Sequence, residues 1–311
     1  MGLSPLVSVA IITYNQKQYL KECIESILVQ DYSHIEIVVA DDGSTDGTHE
    51  MLKAYDMKYP GKFKLVLSNY NQGITINSNN ALHECQGKYI AWIGGDDIFL
   101  PQKISLQVKY MEEHDEVVLS YHNIDTFDST TGKTLYYYND KNGKHEGSVD
   151  LIVEYGTFMG ACSVMVRSEA CPKYFDDEIP VASDWLFWIE TCYNGKVAYI
   201  DEVLSRYRKH NRNISLLTNE NDAFQERLKT LSKVDTRKLV DPISLNKAYA
   251  RVYYAYSLKM ILRGKKGCKE SIKKSIEFGY IDFRQRVLSL VCRYNLGWIL
   301  RGYYKYLRKL K

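Results

Sequence analysis

The amino-terminal part of this chain alternates short apolar runs with longer amphipathic segments, and this alternation constrains the fold more than any other feature. Runs rich in β-branched residues predict strands at residues 7–14, 35–40, 63–67 and 88–93. The segments between these runs place apolar residues at helical spacing. Strands that alternate with helices of about 10–15 residues predict βαβ units. We therefore expect an α/β domain with a mixed, mainly parallel sheet between helices.

The later part of the chain has a different pattern. Residues 117–140 show the pattern of paired strands around a turn, and residues 183–193 are predicted to form a helix. Farther along, long helical patterns with many Tyr, Lys and Arg residues replace the alternation. We place the boundary so that a first domain covers residues 1–217, and a helical region with a basic end covers residues 218–311.

Composition and cysteine usage favour a protein that works inside the cell. Hydrophobic residues make up 45% of the 311 residues and charged residues 25%, which is ordinary for a globular protein. The seven cysteines form no Cys-x-x-Cys pair, and their odd number argues against a closed disulfide framework. No basic segment precedes the first strand, and no apolar run approaches the ~20 residues of a membrane span. We expect neither a signal peptide nor a transmembrane helix.

Polar residues follow three of the four predicted strands, directly where each strand ends. Thr13-Tyr14-Asn15 follow the first strand, Asp41 to Ser44 the second, and Gly94 to Asp97 the fourth. Open α/β sheets bind ligands in the crevice outside the carboxyl ends of their parallel strands. We therefore expect the three polar clusters to converge on one ligand-binding crevice.

The two acidic clusters indicate different chemistry. Asp41 and Asp42 are placed to accept hydrogen bonds from a base or a ribose; the alternative is that this loop only caps the next helix. Asp96 and Asp97 are adjacent at the end of a buried strand, where two carboxylates repel each other unless a cation is present. Mg²⁺ or Mn²⁺ would remove that cost and bridge to phosphate oxygens. The alternative for this pair is a solvated turn.

Two segments farther along the chain are weaker candidates. Asp184 stands in the sequence Ala-Ser-Asp-Trp-Leu-Phe-Trp, and it is either an acidic residue in the first turn of a helix or a base in a partly apolar site. The segment from Arg206 to Asn211 contains four cationic or imidazole side chains, and His210 is among them. Such a loop suits a diphosphate and a metal ion, but it is also typical of exposed surface.

Several of these segments, in this order, resemble the family-two glycosyltransferases of the GT-A fold. The similar stretches are Val7 to Asn15, Gln30-Asp31-Tyr32, Asp41 to Gly47, Asn71-Gln72-Gly73, Gly87 to Ala91, Asp96-Asp97, Asp184 to Trp188 and Tyr207 to Ser215. The resemblance covers about residues 5–215, and the order of the motifs makes it specific. It implies a GT-A-type nucleotide-sugar-binding domain.

The resemblance also implies roles for individual residues. The nucleotide would be bound by Thr13, Tyr14, Asn15, Asp41, Asp42, Gly73 and Asp96. Within that set, Asp42 is the preferred contact of the base. Asp97 would be the direct ligand of a Mn²⁺ or Mg²⁺ ion, with Asp96 and His210 as further metal ligands. Asp184 would be the general base that deprotonates the acceptor hydroxyl.

The implied reaction is an inverting transfer of a hexose or an N-acetylhexosamine from a nucleotide sugar, with a UDP-sugar as the expected donor. The acceptor would be a hydroxyl of a growing saccharide, lipid-linked, in the synthesis of a cell-surface polysaccharide. The chain departs from the family's fuller metal motif at Gly94, where many relatives carry Asp, so the donor sugar stays open. A non-catalytic nucleotide-sugar or membrane-binding protein of the same fold is the alternative function.

Other classes of protein are disfavoured by missing motifs. No nucleic-acid-binding motif is present and the first two-thirds of the chain are not basic, so no nucleic-acid partner is expected. A dinucleotide-dependent dehydrogenase is also disfavoured, because no Gly-x-Gly-x-x-Gly follows the first strand.

The carboxyl-terminal residues are basic and rich in aromatic and aliphatic side chains. No acidic residue follows Asp282, but these cationic residues do: Arg284, Arg286, Arg293, Arg301, Lys305, Arg308, Lys309 and Lys311. Basic helices with an apolar face bind anionic membrane surfaces. Residues 284–311 therefore predict peripheral contact with the cytoplasmic face of the cell membrane. The alternative is that their apolar face packs on the first domain.

Overall fold

The computed structural model describes residues 4–214, 219–279 and 282–309. The chain divides into two compact units. The amino-terminal unit consists of Met1–Ile152 and Thr157–Leu217, and the carboxyl-terminal unit of Val153–Gly156 and Thr218–Lys311. The predicted domain boundary between residues 217 and 218 lies outside the described residues, as does Lys311 of the predicted basic end.

One sheet of nine strands organises the described part of the amino-terminal unit. The strands are β1 (Val7–Thr13), β2 (Ile35–Asp41), β3 (Phe63–Leu67), β4 (Tyr89–Gly94), β5 (Ile98–Phe99), β6 (Val117–Asp128), β7 (Thr134–Tyr137), β8 (Met165–Arg167) and β9 (Lys196–Lys209). Their order across the sheet is β3-β2-β1-β4-β8-β6-β9-β5, and β7 pairs with β6 outside this path.

Helices connect these strands and cover the sheet. They are α1 (Lys17–Leu28), α2 (Thr48–Lys58), α3 (Ile74–Glu84), α4 (Lys103–Glu113), α5 (Tyr138–Asn142), α6 (Val149–Tyr155) and α7 (Ser183–Thr191). In α1 the buried residues are Leu20, Cys23, Ile24 and Ile27, which recur at helical spacing. This face of α1 belongs to the same apolar core as alternate residues of β1, such as Val9 and Ile11.

The first four strands run parallel and form the half of the sheet that the sequence predicts. β1 lies between β2 and β4, so Ile12 pairs with Ala40 on one side and with Gly94 on the other. These three strands are buried along almost their whole length, which explains why they are continuously apolar instead of alternating. Their carboxyl ends therefore lie together at one edge of the sheet.

The second half of the sheet makes it mixed. β8 is antiparallel to both β4 and β6, and β5 is antiparallel to β9. β6 and β7 form the predicted hairpin, whereas β6 and β9 pair in parallel although about 80 residues separate their starts. The α/β class with a mixed sheet, predicted from the sequence, is confirmed.

An aromatic cluster packs on the face of β4 that is opposite the α1 core. Trp92 of β4 makes edge contacts with Phe175, Phe187 and Trp188, at ring-centroid distances of 5.1–6.3 Å. Phe187 and Trp188 belong to α7, whose apolar sequence follows from this burial. The cluster holds α7 against the sheet, and with it the backbone of Asp184 near its start.

The carboxyl-terminal unit is helical in its described residues. Its helices are α8 (Glu220–Thr236), α9 (Pro242–Leu262), α10 (Cys268–Glu277), α11 (Phe283–Arg293) and α12 (Gly297–Lys309). A small apolar core within it contains Ile261, Ile272, Leu288 and Cys292. Within the described ranges, we find no helix whose length and apolar character would let it cross a bilayer.

Candidate active site

The loops that follow β1, β2 and β4 border one cavity at the carboxyl edge of the parallel strands. Its volume is about 470 Å³, within the usual range of ligand pockets. Six of the predicted site residues line this cavity: Thr13, Tyr14, Asp42, Gly73, Asp96 and Asp97. The lining does not include the other four predicted residues, which are Asn15, Asp41, Asp184 and His210.

Asn15 joins the loop after β1 to the loop after β2. Its backbone N–H donates to Ser44 Oγ at 2.7 Å, and its side-chain Oδ1 accepts from the N–H of Thr45 at 2.8 Å. Asn15 has a φ of +52°, a left-handed conformation that Asn tolerates better than most residues. The structure therefore places Asn15 as a connector of the two loops, beside the cavity lining.

Asp41 and Asp42 are neighbours in sequence but face different surroundings. Asp41 is fully buried; its carboxylate accepts from Ser44 N–H at 2.8 Å and Ser44 Oγ at 2.5 Å, and contacts His49 Nε2 at 2.7 Å. Asp42 lies at the cavity instead. Successive residues of an extended chain point to opposite sides, so only one of the two carboxylates can face the ligand.

Asp42 also shapes the cavity wall formed by the start of α3. Its two oxygens accept backbone N–H bonds from Gln72 at 2.7 Å and from Gly73 at 2.9 Å. Gly73 has a φ of +95°, which residues other than glycine rarely adopt. A Cβ at this position would meet no atom within 4 Å, so the glycine is needed for its backbone conformation and not for space. One turn into α3, Asn77 donates through Nδ2 to the carbonyl of Ala40 at 2.9 Å.

The two carboxylates at the end of β4 differ in burial. Asp97 is 4% exposed, and its Oδ1 accepts the backbone N–H of Arg208 at 3.0 Å. The Cys162 thiol also hydrogen-bonds to this carboxylate. Burial, together with the charge of neighbouring Asp96, holds the pKa of Asp97 well above its usual range. A cation near the pair would relieve this repulsion.

Asp96 faces His210 across the cavity rim. His210 Nε2 lies 2.9 Å from Asp96 Oδ2, and the His210 ring also contacts the ring of Tyr19 in a tilted arrangement, with 5.0 Å between the ring centroids. The Nδ1 atom of His210 accepts the backbone N–H of Arg212 at 3.1 Å. In a neutral imidazole this contact leaves the proton on Nε2, so His210 donates to Asp96 in this arrangement.

The cationic side chains of β9 do not reach the cavity as the basic segment suggested. Arg206 pairs with Asp125 at 2.7 Å, and the buried Arg208 pairs with Glu22 at 2.6 Å. Arg208 also donates through Nε to the carbonyl of Asp96 at 2.8 Å, which helps to fix the loop after β4. Arg212, two residues beyond His210, lines the cavity and is the cation placed to meet a bound anion.

Asp184 lies in the first turn of α7 and is partly exposed. Its neighbour Ser183 contacts Thr75 Oγ1 of α3 at 2.8 Å, and Thr75 also donates to the carbonyl of Ile179. The α7 start is therefore tied to the helix that walls the cavity. The charge of Asp184 also helps to raise the pKa of Tyr138 to about 12, after the larger effect of burial.

Sequence reasoning missed several residues of the lining. Asn77 and Trp92 are 3% and 4% exposed, and each has a buried polar atom, Oδ1 and Nε1, without a hydrogen-bond partner in the described part of the chain. Asn213 and Tyr207 also line the cavity. Asn77 is a polar residue inside a predicted helix, which is a weak signal, and Trp92 is hidden in an apolar run. Tyr207 and Asn213 belong to a stretch that resembles the family, but neither residue is assigned a role there.

Comparison with known proteins identifies similar sequences. The family model described as "Glycosyl transferase family 2" matches residues 8–169. The chain is 31% identical over 263 residues to an uncharacterised glycosyltransferase of Haemophilus influenzae, covering 79% of this chain and 80% of that protein. It is also 29% identical over 218 residues to TuaG of Bacillus subtilis, which is named as a putative teichuronic acid biosynthesis glycosyltransferase. That match covers 68% of this chain and 82% of TuaG. The match spans 59% of the length of its mycobacterial relatives.

A solved structure shares the fold. TarS 1–349 of S. aureus, in complex with UDP-GlcNAc, superposes with a TM-score of 0.65 at 16% sequence identity, covering 93% of this chain and 92% of that chain. At this identity the likeness is one of architecture. It agrees with the mixed sheet and the helical carboxyl-terminal region described above.

Proposed function

We propose, because this chain belongs to glycosyl transferase family 2, that it transfers a sugar from a nucleotide-sugar donor to a hydroxyl of a saccharide acceptor. One observation carries the proposal. The cavity at the carboxyl edge of β1, β2 and β4 brings Thr13, Asp42 and Asp96 together from three separate loops. Its volume of about 470 Å³ suits a nucleotide with its sugar.

The base and ribose occupy the part of the cavity lined by Thr13, Tyr14, Asp42 and Gly73 in this proposal. Asn15 and Asp41 contribute by fixing the loops, because their polar atoms already bond within the protein. We take the donor to be a UDP-sugar, in line with the UDP-GlcNAc bound by TarS, which shares the fold. Asn77 and Trp92 offer an unused acceptor and an unused donor at the cavity wall.

The residues at the end of β4 fit a divalent cation. Mg²⁺ and Mn²⁺ are commonly held by one or two carboxylates together with phosphate oxygens of the substrate. We assign the cation to Asp96, since both Asp97 contacts described above are internal and Asp96 is the more exposed. His210 would join it through Nε2 only if its proton moved to Nδ1 and the bond from Arg212 N–H were given up. When bound, the cation would neutralise charge on the leaving diphosphate.

Asp184 is the general base in this proposal. Its carboxylate takes the proton of the acceptor hydroxyl while that oxygen attacks the anomeric carbon, and the diphosphate leaves from the opposite face. A single displacement of this kind inverts the configuration. Arg212, at the cavity, is placed to stabilise the charge on the departing group.

The acceptor that we propose is a growing saccharide of a cell-surface polysaccharide, carried on a lipid. The relationship to TuaG supports the polysaccharide assignment. A lipid-linked acceptor would be met at the cytoplasmic face of the cell membrane, and we place the enzyme there. The transferred group is a hexose or an N-acetylhexosamine.

Turnover of candidate donors tests the proposal. The full chain is incubated with Mn²⁺ and a panel of UDP-, GDP- and TDP-sugars, and release of the nucleoside diphosphate is measured. We expect release from one nucleotide series, lowered by about 10²–10⁴-fold in Asp184→Asn with an unchanged Kd for the nucleoside diphosphate. Full turnover in the variant would remove Asp184 as base. Donor binding without any release across the panel would favour the non-catalytic alternative.

A further inference from the structure

The helix α11 has an inner face whose orientation is fixed by packing. Leu288 and Cys292 are each 3% exposed and belong to the core of the carboxyl-terminal unit. A capping box of Asp282 and Gln285 begins the helix, and Gln285 Nε2 donates to Ser275 Oγ of α10 at 2.7 Å. The helix cannot rotate without breaking these contacts, so its opposite face is held outward.

That opposite face is apolar. Phe283, Val287, Leu290 and Tyr294 are 80%, 38%, 52% and 61% exposed, and we call these four residues the outer stripe. With 3.6 residues per turn, their spacing of four, three and four places all of them within about 60° of one another on the helix. The stripe points almost directly away from Leu288 and Cys292. A helix packed on one side only would carry polar residues there.

The next helix, α12, also has exposed apolar residues. Trp298, Ile299 and Tyr303 are 64%, 47% and 57% exposed. Trp and Tyr have an apolar ring and a polar group, and they are enriched at the boundary between lipid headgroups and acyl chains. A row of exposed apolar residues on one face, such as the outer stripe, marks a contact with a partner or a membrane.

The charge around the outer stripe favours an anionic membrane over a second copy of this chain as its binding partner. No acidic residue follows Asp282, and Arg286 and Arg293 flank the stripe on one side of α11. A second copy of this chain would bring these cations against its own acid-free segment, so like charges would oppose pairing. An anionic bilayer satisfies both features, because its interior accepts the stripe and its headgroups attract the arginines.

We propose that the outer stripe, with Trp298 of α12, is a docking surface for a membrane that contains anionic lipid. The apolar side chains enter the headgroup region and Arg286 and Arg293 bind lipid phosphates. The proposal narrows the predicted contact of residues 284–311 to one face of α11 and the start of α12. It does not depend on the transferase activity proposed above.

Co-sedimentation with vesicles tests this docking. The full chain is mixed with vesicles of phosphatidylcholine alone, or with about a third of phosphatidylglycerol, at physiological salt. We expect binding only to the anionic vesicles, and weaker binding as salt is raised. Leu290→Glu should lower the partition coefficient about tenfold or more, the effect expected for losing one buried leucine. The Arg286→Gln, Arg293→Gln double variant should lose about 25-fold, or about fivefold for each arginine.

Matched controls distinguish the membrane from other occupants. Val29→Glu alters an apolar residue of the amino-terminal unit that is 73% exposed, more than Leu290, and this variant should bind vesicles like the wild type. Leu290→Glu should keep the wild-type thermal midpoint, because Leu290 is exposed. Absence of lipid binding, or an equal loss in Val29→Glu, would overturn the proposal. A dimer of the wild type that dissociates in Leu290→Glu would also overturn it, because a second copy would then cover the stripe. So would a thermal midpoint of Leu290→Glu that is lowered by several degrees, because Leu290 would then be packed within the chain.

Discussion

At the scale of single residues, the two carboxylates of each neighbouring pair differ in their orientation and burial. Asp41 bonds internally and Asp42 lies at the cavity, and the same division recurs between the buried Asp97 and the more exposed Asp96. In both pairs one carboxylate is the more deeply buried, while Asp42 also accepts the N–H groups of Gln72 and Gly73 and Asp96 also contacts His210. The buried member of the second pair also experiences the charge of its neighbour, which raises its pKa after burial.

Asp96→Asn should therefore weaken Mn²⁺-dependent nucleotide binding more than Asp97→Asn does. Loss of a direct carboxylate ligand is expected to cost about 10–100-fold or more in metal affinity. Asn at position 97 can still accept the N–H of Arg208. Binding of UDP measured by calorimetry at several Mn²⁺ concentrations checks the order, with the surface variant Asp201→Asn as control. The reverse order would make Asp97 the direct ligand, as the family resemblance implies.

Lys103 is a buried cation near the site with an unusual pKa. It is fully buried, donates through Nζ to Gln107 Oε1 at 2.6 Å, and lies 4.3 Å from the ring centre of Phe99. Burial lowers its pKa to about 7, whereas the unfolded chain keeps a pKa of about 10.4. Between these values the unfolded state binds a proton that the folded state lacks, so stability from this group rises with pH.

Lys103→Met should remove that pH dependence. From about pH 7 to about pH 10, the free energy of unfolding of the wild type should rise relative to the variant by up to about 1.4 kcal/mol per pH unit. Below pH 7 the wild type carries the full cost of a buried ammonium group. Urea unfolding of both proteins across this range gives the difference. Parallel curves for wild type and variant would show that Lys103 stays charged in the fold.

The residue scale is also where the sequence alone is least informative. The family resemblance names Asp42 as the contact of the base and Asp97 as the direct metal ligand, but the sequence does not indicate which member of each pair is the more deeply buried. That choice depends on strand twist and on partners such as Ser44 and His49, which lie in the next loop and helix. The pairing of Arg206 and Arg208 with Asp125 and Glu22 depends likewise on distant contacts.

At the scale of elements, the loop after β2 depends on one glycine. Gly43 has a φ of +76°, and a Cβ on it would lie 2.5–2.8 Å from the backbone of Tyr70. Tyr70 begins the segment that Asp42 holds through the N–H groups of Gln72 and Gly73. Close approach of the two backbones therefore builds one wall of the cavity.

Gly43→Ala should damage both stability and nucleotide binding. The matched control is Gly61→Ala, which has the same φ of +76° but no atom within 4 Å of the added Cβ. We expect about 1–2 kcal/mol of destabilisation for Gly61→Ala and about 2–5 kcal/mol for Gly43→Ala, because the second adds a backbone clash. Urea unfolding and UDP titration measure the two effects. Equal losses in both variants would contradict a role for close packing at Gly43.

Helices and strands that have a local sequence pattern could be predicted, whereas strands that depend on pairing with a distant segment could not. β1, β2 and β4 are continuously apolar and β-branched, so their residues alone indicate buried parallel strands. The two-residue β5 has no local signal and exists because it pairs with β9. The parallel pairing of β6 with β9 joins segments that are far apart in sequence. The periodicity of apolar residues indicates single strands and not their partners, so it does not predict this pairing.

At the scale of the whole molecule, the two units have different surfaces, to which we assign different tasks. The amino-terminal unit contains the cavity and every residue proposed for donor binding and catalysis. The carboxyl-terminal unit has the outer stripe and a basic, acid-free end. A membrane-docked enzyme with a separate nucleotide site is consistent with an acceptor carried on a lipid.

Calorimetric titration of UDP into the full chain, with and without Mn²⁺, tests the central claim most directly. The account predicts one binding site whose affinity rises when Mn²⁺ is present, because the cation joins the diphosphate to Asp96. It also predicts that UDP-sugars compete for the same site. No binding of UDP or of any other nucleoside diphosphate, with or without the metal, would contradict the assignment of this cavity as the donor site.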